Sequence, residues 1–249
     1  MDEQLQPLPG ISVSIGRRAV RVSSAGALSV LSSAVAGGGF GEARDILNLH
    51  VDDRYDGERP EDDLAAVAAT LGVESPFVGL MTAAPTEFAR CAVETLGDLS
   101  VAAVVSVGLS NTSAAGVTPP IGAATDGTTQ ALVRPLAAGG GQGPPPGTIN
   151  IILLVDGALT QAAMVNAVIT ATEAKTATLT AWDVRTPDGD AASGTSTDTV
   201  VVACTGRGEE LSYAGPATPV GWLAARAVRA AVHRICEEKI ARDGGRDGW

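Results

Sequence analysis

Two segments carry the residue types best suited to acid–base chemistry. Between Ala158 and Ala181, a stretch whose length and composition predict a helix, Asn166, Thr170 and Glu173 are spaced i, i+4 and i+7. That spacing puts three polar groups on one helical face. Lys175 follows Glu173 by two positions, roughly 200° around the helix, so the two do not pair and the lysine faces elsewhere. A carboxylate among so many Ala, Val, Ile and Thr residues must find partners or do chemistry, unless the stripe simply faces solvent. The second segment, Gly194-Thr195-Ser196-Thr197-Asp198-Thr199, stands directly before Val200-Val201-Val202. Small hydroxyl residues around an acid at a strand entrance can build a backbone nest, bind a carbonyl or orient water. They also suit an ordinary Ser/Thr/Asp turn.

Common hydrolytic motifs are missing from the sequence: there is no GxSxG, no HExxH and no GxxxxGK[ST]. His50 and His233 each lack a second His or Cys at ligand spacing, which argues against a zinc site but leaves room for oxygen-ligated Mg or Ca. Ser33 with His50 is a weak serine-hydrolase pair, since no nucleophile turn surrounds it. Thr148 directly follows Gly147, an arrangement that would suit self-cleavage exposing an N-terminal threonine. Cys91, Cys204 and Cys236 are widely spaced and form no CxxC, so they read as small buried hydrophobes in a reducing compartment.

The elements that must position these residues are legible in outline. The 249 residues, 45% hydrophobic and 18% charged, predict a folded chain with a sizeable core. A formal charge of −11 without a Lys/Arg block disfavours nucleic acid and anionic membranes as partners. No apolar run approaches a membrane span. The start MDEQLQPLPG lacks a basic, apolar leader, so a cytoplasmic location is expected and residues 1–10 read as a flexible tail. Period-two alternation predicts strands from Ile11 to Val22 with a turn at Gly16-Arg17-Arg18. Further strands are expected at 43–51, 78–82, 102–108, 148–155 and 200–203. Helices are expected at 61–71, 86–96, 158–181 and 220–241, and residues 242–249 as a second tail. Ala114 to Gly147, rich in Gly and Pro, reads as an insertion. The order of elements predicts one α+β domain over residues 11–241, with a mixed, largely antiparallel sheet and packed helices.

Read in order, LSSAVAGGGF, ILNLHV, VGLMTAA, GTINIILLV, NAVITATEAKT, GTSTDTVVVA and YAGPATPVGWLAARAVRAAV resemble the adenosylcobinamide amidohydrolase family from about Ile11 to Ile235. TATEAKT together with GTSTDT is the specific part. Ser196 stands where GTGTDT or GTATDT would be expected. The insertion and both tails lie outside the resemblance.

The resemblance implies cleavage of the amide that joins the aminopropanol arm to the corrin ring, giving adenosylcobyric acid for cobamide salvage. The corrinoid would be substrate, not cofactor, and the corrinoid-carrying motif DxHxxG is absent. Amide hydrolysis needs an activated nucleophile, donors for the oxyanion and an acid for the leaving amine. Glu173 or Asp198 is the expected general base, with Thr197 in the catalytic segment. Asn150, Thr170, Asn166, Thr195, Ser33, Asn48 and Thr82 are the expected substrate-binding groups, and Glu173 and Asp198 are expected to share one pocket. Alternatives are a corrinoid-binding module without turnover and an amidase for another substrate. A homo-oligomer is compatible with the sequence.

Overall fold

The computed structural model describes residues 2–52, 55, 57–74, 76–119 and 147–244. The start expected as a tail is instead an edge strand. β1 (Glu3–Leu8) pairs antiparallel with β2 (Ile11–Ile15) because Leu5 and Leu8 have a core to pack into. Pro7 is tolerated at a sheet edge, where a donor need not be satisfied by a ladder. In chain order there follow β3 (Ala19–Ser32), β4 (Gly39–His50), α1 (Pro60–Thr70), β5 (Phe77–Thr82), β6 (Arg90–Leu96), β7 (Leu99–Val107) and β8 (Thr112–Ser113). Residues 147–244 add β9 (Ile149–Asp156), β10 (Ala158–Leu159), α2 (Gln161–Ala181), β11 (Gly194–Thr195), β12 (Thr199–Cys204), β13 (Glu210–Leu211) and α3 (Pro219–Asp243). The expected insertion falls mostly on residues 120–146, outside the described residues.

One mixed, mostly antiparallel sheet in the order β1-β2-β3-β12-β9-β7-β6 dominates, with β4 and β5 branching from β3. The branch has a local cause. β3 pairs β2 through Val20–Ser24 and β12 through Ser29–Ser32, and its register with β4 shifts between Ser23 and Leu28. The sheet therefore folds over a core where Ile11, Val13, Val20, Val22, Ile46 and Leu80 meet Ala102, Val104, Ile152, Leu154, Val201 and Ala203. Residues of opposite parity on β7 and β9 (Val101, Ala103, Val105; Ile149, Ile151, Leu153, Val155) face α2 and α3. Only β4–β5 and β9–β12 are parallel in this sheet, in keeping with the α+β expectation.

The α2–α3 layer is built largely from alanines: Ala163, Ala167, Ala171, Ala224, Ala227 and Ala231 are all buried. Small side chains let backbones approach closely and hold the helices firmly to the sheet. Thr160 caps α2 by accepting from the Ala163 amide at 3.1 Å, and Thr218 caps α3 from the Gly221 amide at 3.1 Å. The helix expected over 86–96 does not form. A single 3₁₀ turn (Thr86–Phe88) precedes β6, which zips onto β7 from Arg90↔Val105 to Leu96↔Leu99 around Gly97 at φ +60°. A glycine that accepts this turn and a ready partner strand outweigh local helix propensity.

Candidate functional site

β9 and β12 run parallel and begin at the same end of the sheet, so the residues just before them are neighbours: Thr148 precedes β9 and Asp198 precedes β12. Asp198 is the hub. Its Oδ1 accepts from the Ile149 amide at 3.0 Å, the Thr195 amide at 3.2 Å and the Thr195 hydroxyl. Its Oδ2 accepts from the Thr195 amide at 3.2 Å and from Lys175 Nζ. Both partners of the ion pair are largely buried, with side-chain exposures of 8% and 14%. A pair this deep requires satisfied geometry, because losing either partner strands a charge at a cost of about 3–5 kcal/mol. Gly194 makes the approach possible, since a Cβ there would lie 2.5 Å from Lys175 Nζ and press on the Asp198 carboxylate.

Beside this hub the hydroxyls of Thr148 and Thr197 hydrogen-bond to one another. Thr148 Oγ1 also lies 3.0 Å from the Thr197 carbonyl, and Thr197 Oγ1 donates to the Gly147 carbonyl at 3.1 Å. The Thr195–Asp198 turn is held from outside as well. β11 pairs with β8, and Asn111 Nδ2 donates to Ser196 Oγ at 2.9 Å, so the serine at the unusual position of the motif has a partner.

The amides expected to bind substrate occupy the other face of β9. Asn150 Nδ2 donates to Asn48 Oδ1 at 2.8 Å and to the Met81 carbonyl at 2.9 Å, and Asn48 Nδ2 donates to Ser106 Oγ at 2.8 Å. Asn48 and Asn150 are 2% and 1% exposed, and Asn150 Oδ1 is buried without a partner among the described residues. Thr82 Oγ1 accepts from the Ala84 amide at 3.0 Å. These groups tie strand ends together, and Asn150 directly follows Ile149, whose amide is bound to Asp198. Ser33, exposed, exchanges hydrogen bonds with the Val200 backbone, while His50 Nε2 lies 3.3 Å from the Ala83 carbonyl, so each of these two is engaged with backbone of its own.

The polar stripe of α2 divides. Thr170 is buried and donates to the Ala214 carbonyl at 2.9 Å, Asn166 is half-buried, and Glu173 is exposed. Glu173 lies on the far side of α2 from Lys175, so it does not share a pocket with Asp198; the helix delivers its lysine to the hub instead. Sequence reasoning passed over Lys175, although a signal existed. The lysine falls on the buried stripe Met164, Ala167, Ala171, Thr178, and a charge on an apolar stripe calls for a partner.

Three concavities of about 430, 500 and 170 Å³ lie elsewhere, and their walls include neither Thr148, Lys175 nor Asp198. Among the described residues no group of three His, Cys, Asp or Glu side chains is placed to hold a metal ion, and no helix is long and apolar enough to cross a membrane. Burial pushes the thiols of Cys204 and Cys236 up to about 12 and that of Cys91 up to about 11, keeping all three in the thiol form at neutral pH.

Comparison with known proteins places these residues in a family. The profile of "Adenosylcobinamide amidohydrolase" matches residues 9–243. A protein of that name from Halobacterium salinarum is 36% identical over 180 residues, covering 72% of this chain and 66% of the relative, so the chain spans just under two thirds of that protein's length. One from Methanosarcina mazei is 30% identical over 193 residues, covering 74% of this chain and 78% of its own. An uncharacterized protein of Methanocaldococcus jannaschii is 41% identical over 88 residues, 34% of each chain. A crystal structure of a Pyrococcus horikoshii protein superposes with a TM-score of 0.45 at 12% identity, covering 89% of this chain and 77% of that one. With a family profile spanning nearly all of its length, from β2 to the end of α3, the chain belongs to the adenosylcobinamide amidohydrolase family.

Proposed function

We propose that this chain hydrolyses the amide linking the aminopropanol arm of adenosylcobinamide to its corrin propionate, releasing adenosylcobyric acid and aminopropanol for cobamide salvage. One observation carries the reading: Lys175 and Thr195, drawn from the two most specific motifs, meet around the Asp198 carboxylate at the entrance of two parallel strands, with Thr197 its neighbour in the chain. In this proposal Lys175 protonates the leaving amine, and the Asp198 carboxylate holds that ammonium and exchanges protons through it. The Thr197 hydroxyl serves as a donor to the developing oxyanion. Asn48 and Asn150 hold the opposite face of the sheet together, their amide donors being committed to neighbouring strands. The exposed Ser33 and half-buried Asn166 are left to meet the amides on the rim of the corrin.

Incubation with adenosylcobinamide followed by chromatography tests the reading. The expected products are adenosylcobyric acid and aminopropanol in equal amounts. Retention of the intact corrinoid on the protein would instead make the chain a binding module. Turnover of small amides alone would make it an amidase of another kind.

A further inference from the structure

The peptide bond between Gly147 and Thr148 is surrounded by the groups that an intramolecular cleavage requires. Thr148 Oγ1 is hydrogen-bonded to Thr197 Oγ1, and the same Thr197 hydroxyl donates to the carbonyl oxygen of Gly147 at 3.1 Å. One side chain thus touches both the hydroxyl that would attack and the oxygen that would take up negative charge. Gly147 has no room for a side chain: a Cβ would lie 2.6 Å from Asn111 Oδ1, 2.7 Å from the Gly108 carbonyl and 2.8 Å from the Ser110 amide. That close packing holds the Gly147 peptide against the segment from Gly108 to Asn111. Downstream, the Thr148 carbonyl accepts from the Gly108 amide at 2.8 Å, and the Ile149 amide is fixed on Asp198. The strand that follows the bond is therefore anchored, with or without the residues before it.

We propose that the chain cuts itself between Gly147 and Thr148. Thr148 Oγ attacks the Gly147 carbonyl carbon, forming an Oγ–C bond while the hydroxyl proton passes to the departing nitrogen. The C–N bond breaks, leaving an ester between Gly147 and the Thr148 side chain and a free α-amine on Thr148. Water then hydrolyses the ester, giving a Gly147 carboxylate and restoring the hydroxyl. No other reactant is consumed. Holding the attacking hydroxyl next to its target supplies the rate advantage of an intramolecular reaction, and the Thr197 donor stabilises the oxyanion. The product carries a threonine with its own amine beside its hydroxyl, a pairing that activates oxygen nucleophiles. That threonine directly precedes Ile149, whose amide Asp198 holds, at the proposed amide-hydrolysis site. The cleavage itself does not depend on the corrinoid reading.

Intact-mass measurement of the purified full chain, with no corrinoid added, tests the proposal. Two pieces are expected, the second beginning at Thr148, and Edman degradation of it should start Thr-Ile-Asn. Thr148→Ala should give one full-length species that retains the wild-type circular dichroism, Thr148→Ser should still cleave, and Thr197→Val should slow cleavage at least ~10-fold. A single uncut wild-type species after prolonged incubation overturns the proposal. So does an equal cut in Thr148→Ala, which would point to a contaminating protease. Because no substrate is present, an uncut chain that still hydrolyses adenosylcobinamide removes only the self-cleavage.

Discussion

Asp198 and Lys175 are fastened to one another in a nearly dry site, and that single contact organises the loop from Gly194 to Asp198. Lys175→Met leaves the carboxylate buried without its cation. The expected result is a loss of about 3–5 kcal/mol in stability, read by urea denaturation, together with loss of turnover. Lys175→Arg keeps the charge but not the compact ammonium, and should recover stability more than rate. Glu173→Gln, on the exposed side of the same helix, should turn over at close to the wild-type rate; a large loss would place that glutamate at the substrate. Thiols raised to about 12 should resist alkylation, so Cys204 and Cys236 should label with iodoacetamide at pH 7.5 only after unfolding.

Among the elements, α3 is tied to β6 through Glu238, whose carboxyl is held below its ordinary value first by the hydrogen bond from Arg90 and then by Arg234. A lowered carboxyl stabilises the fold fully above the unfolded value near ~4.3, and that contribution fades as pH falls through the folded value. The pair is partly exposed, so its worth is about 1 kcal/mol at most. Glu238→Gln should lower Tm by about 2–4 °C at pH 7, with the difference from wild type closing in strongly acidic buffer. The elements also show where the sequence was readable. The alternation Ile11 to Val22, the apolar run at β9 and the long helices all announce themselves through period, because one face of each is buried in a continuous core. Thr86 to Leu96 misleads, since a partner strand and the turn at Gly97 decide its state and neither is local to the window. Lys175 was missed for a related reason. Its partner lies 23 positions away on another element, and helical spacing relates it only to its own helix.

At the scale of the whole molecule, the mixed sheet brings two parallel strand entrances together under the C-terminal half of α2, which no single segment of the sequence states. The motif residues end on two faces of that sheet. Asn48, Ser106 and Asn150 knit one side, while Lys175, Thr195 and Asp198 gather on the other, with the Thr148–Thr197 hydroxyl pair at the strand entrances. Catalysis is assigned to the second group because it alone combines a cation, a carboxylate and adjacent hydroxyls. The most direct test is the rate of adenosylcobyric acid release from adenosylcobinamide by Asp198→Asn, compared with wild type at matched concentration and with folding verified by circular dichroism. A folded variant slowed by roughly 10²-fold or more is the predicted result, the size of an acid–base contribution. Release at the wild-type rate would contradict the assignment of the reaction to this carboxylate.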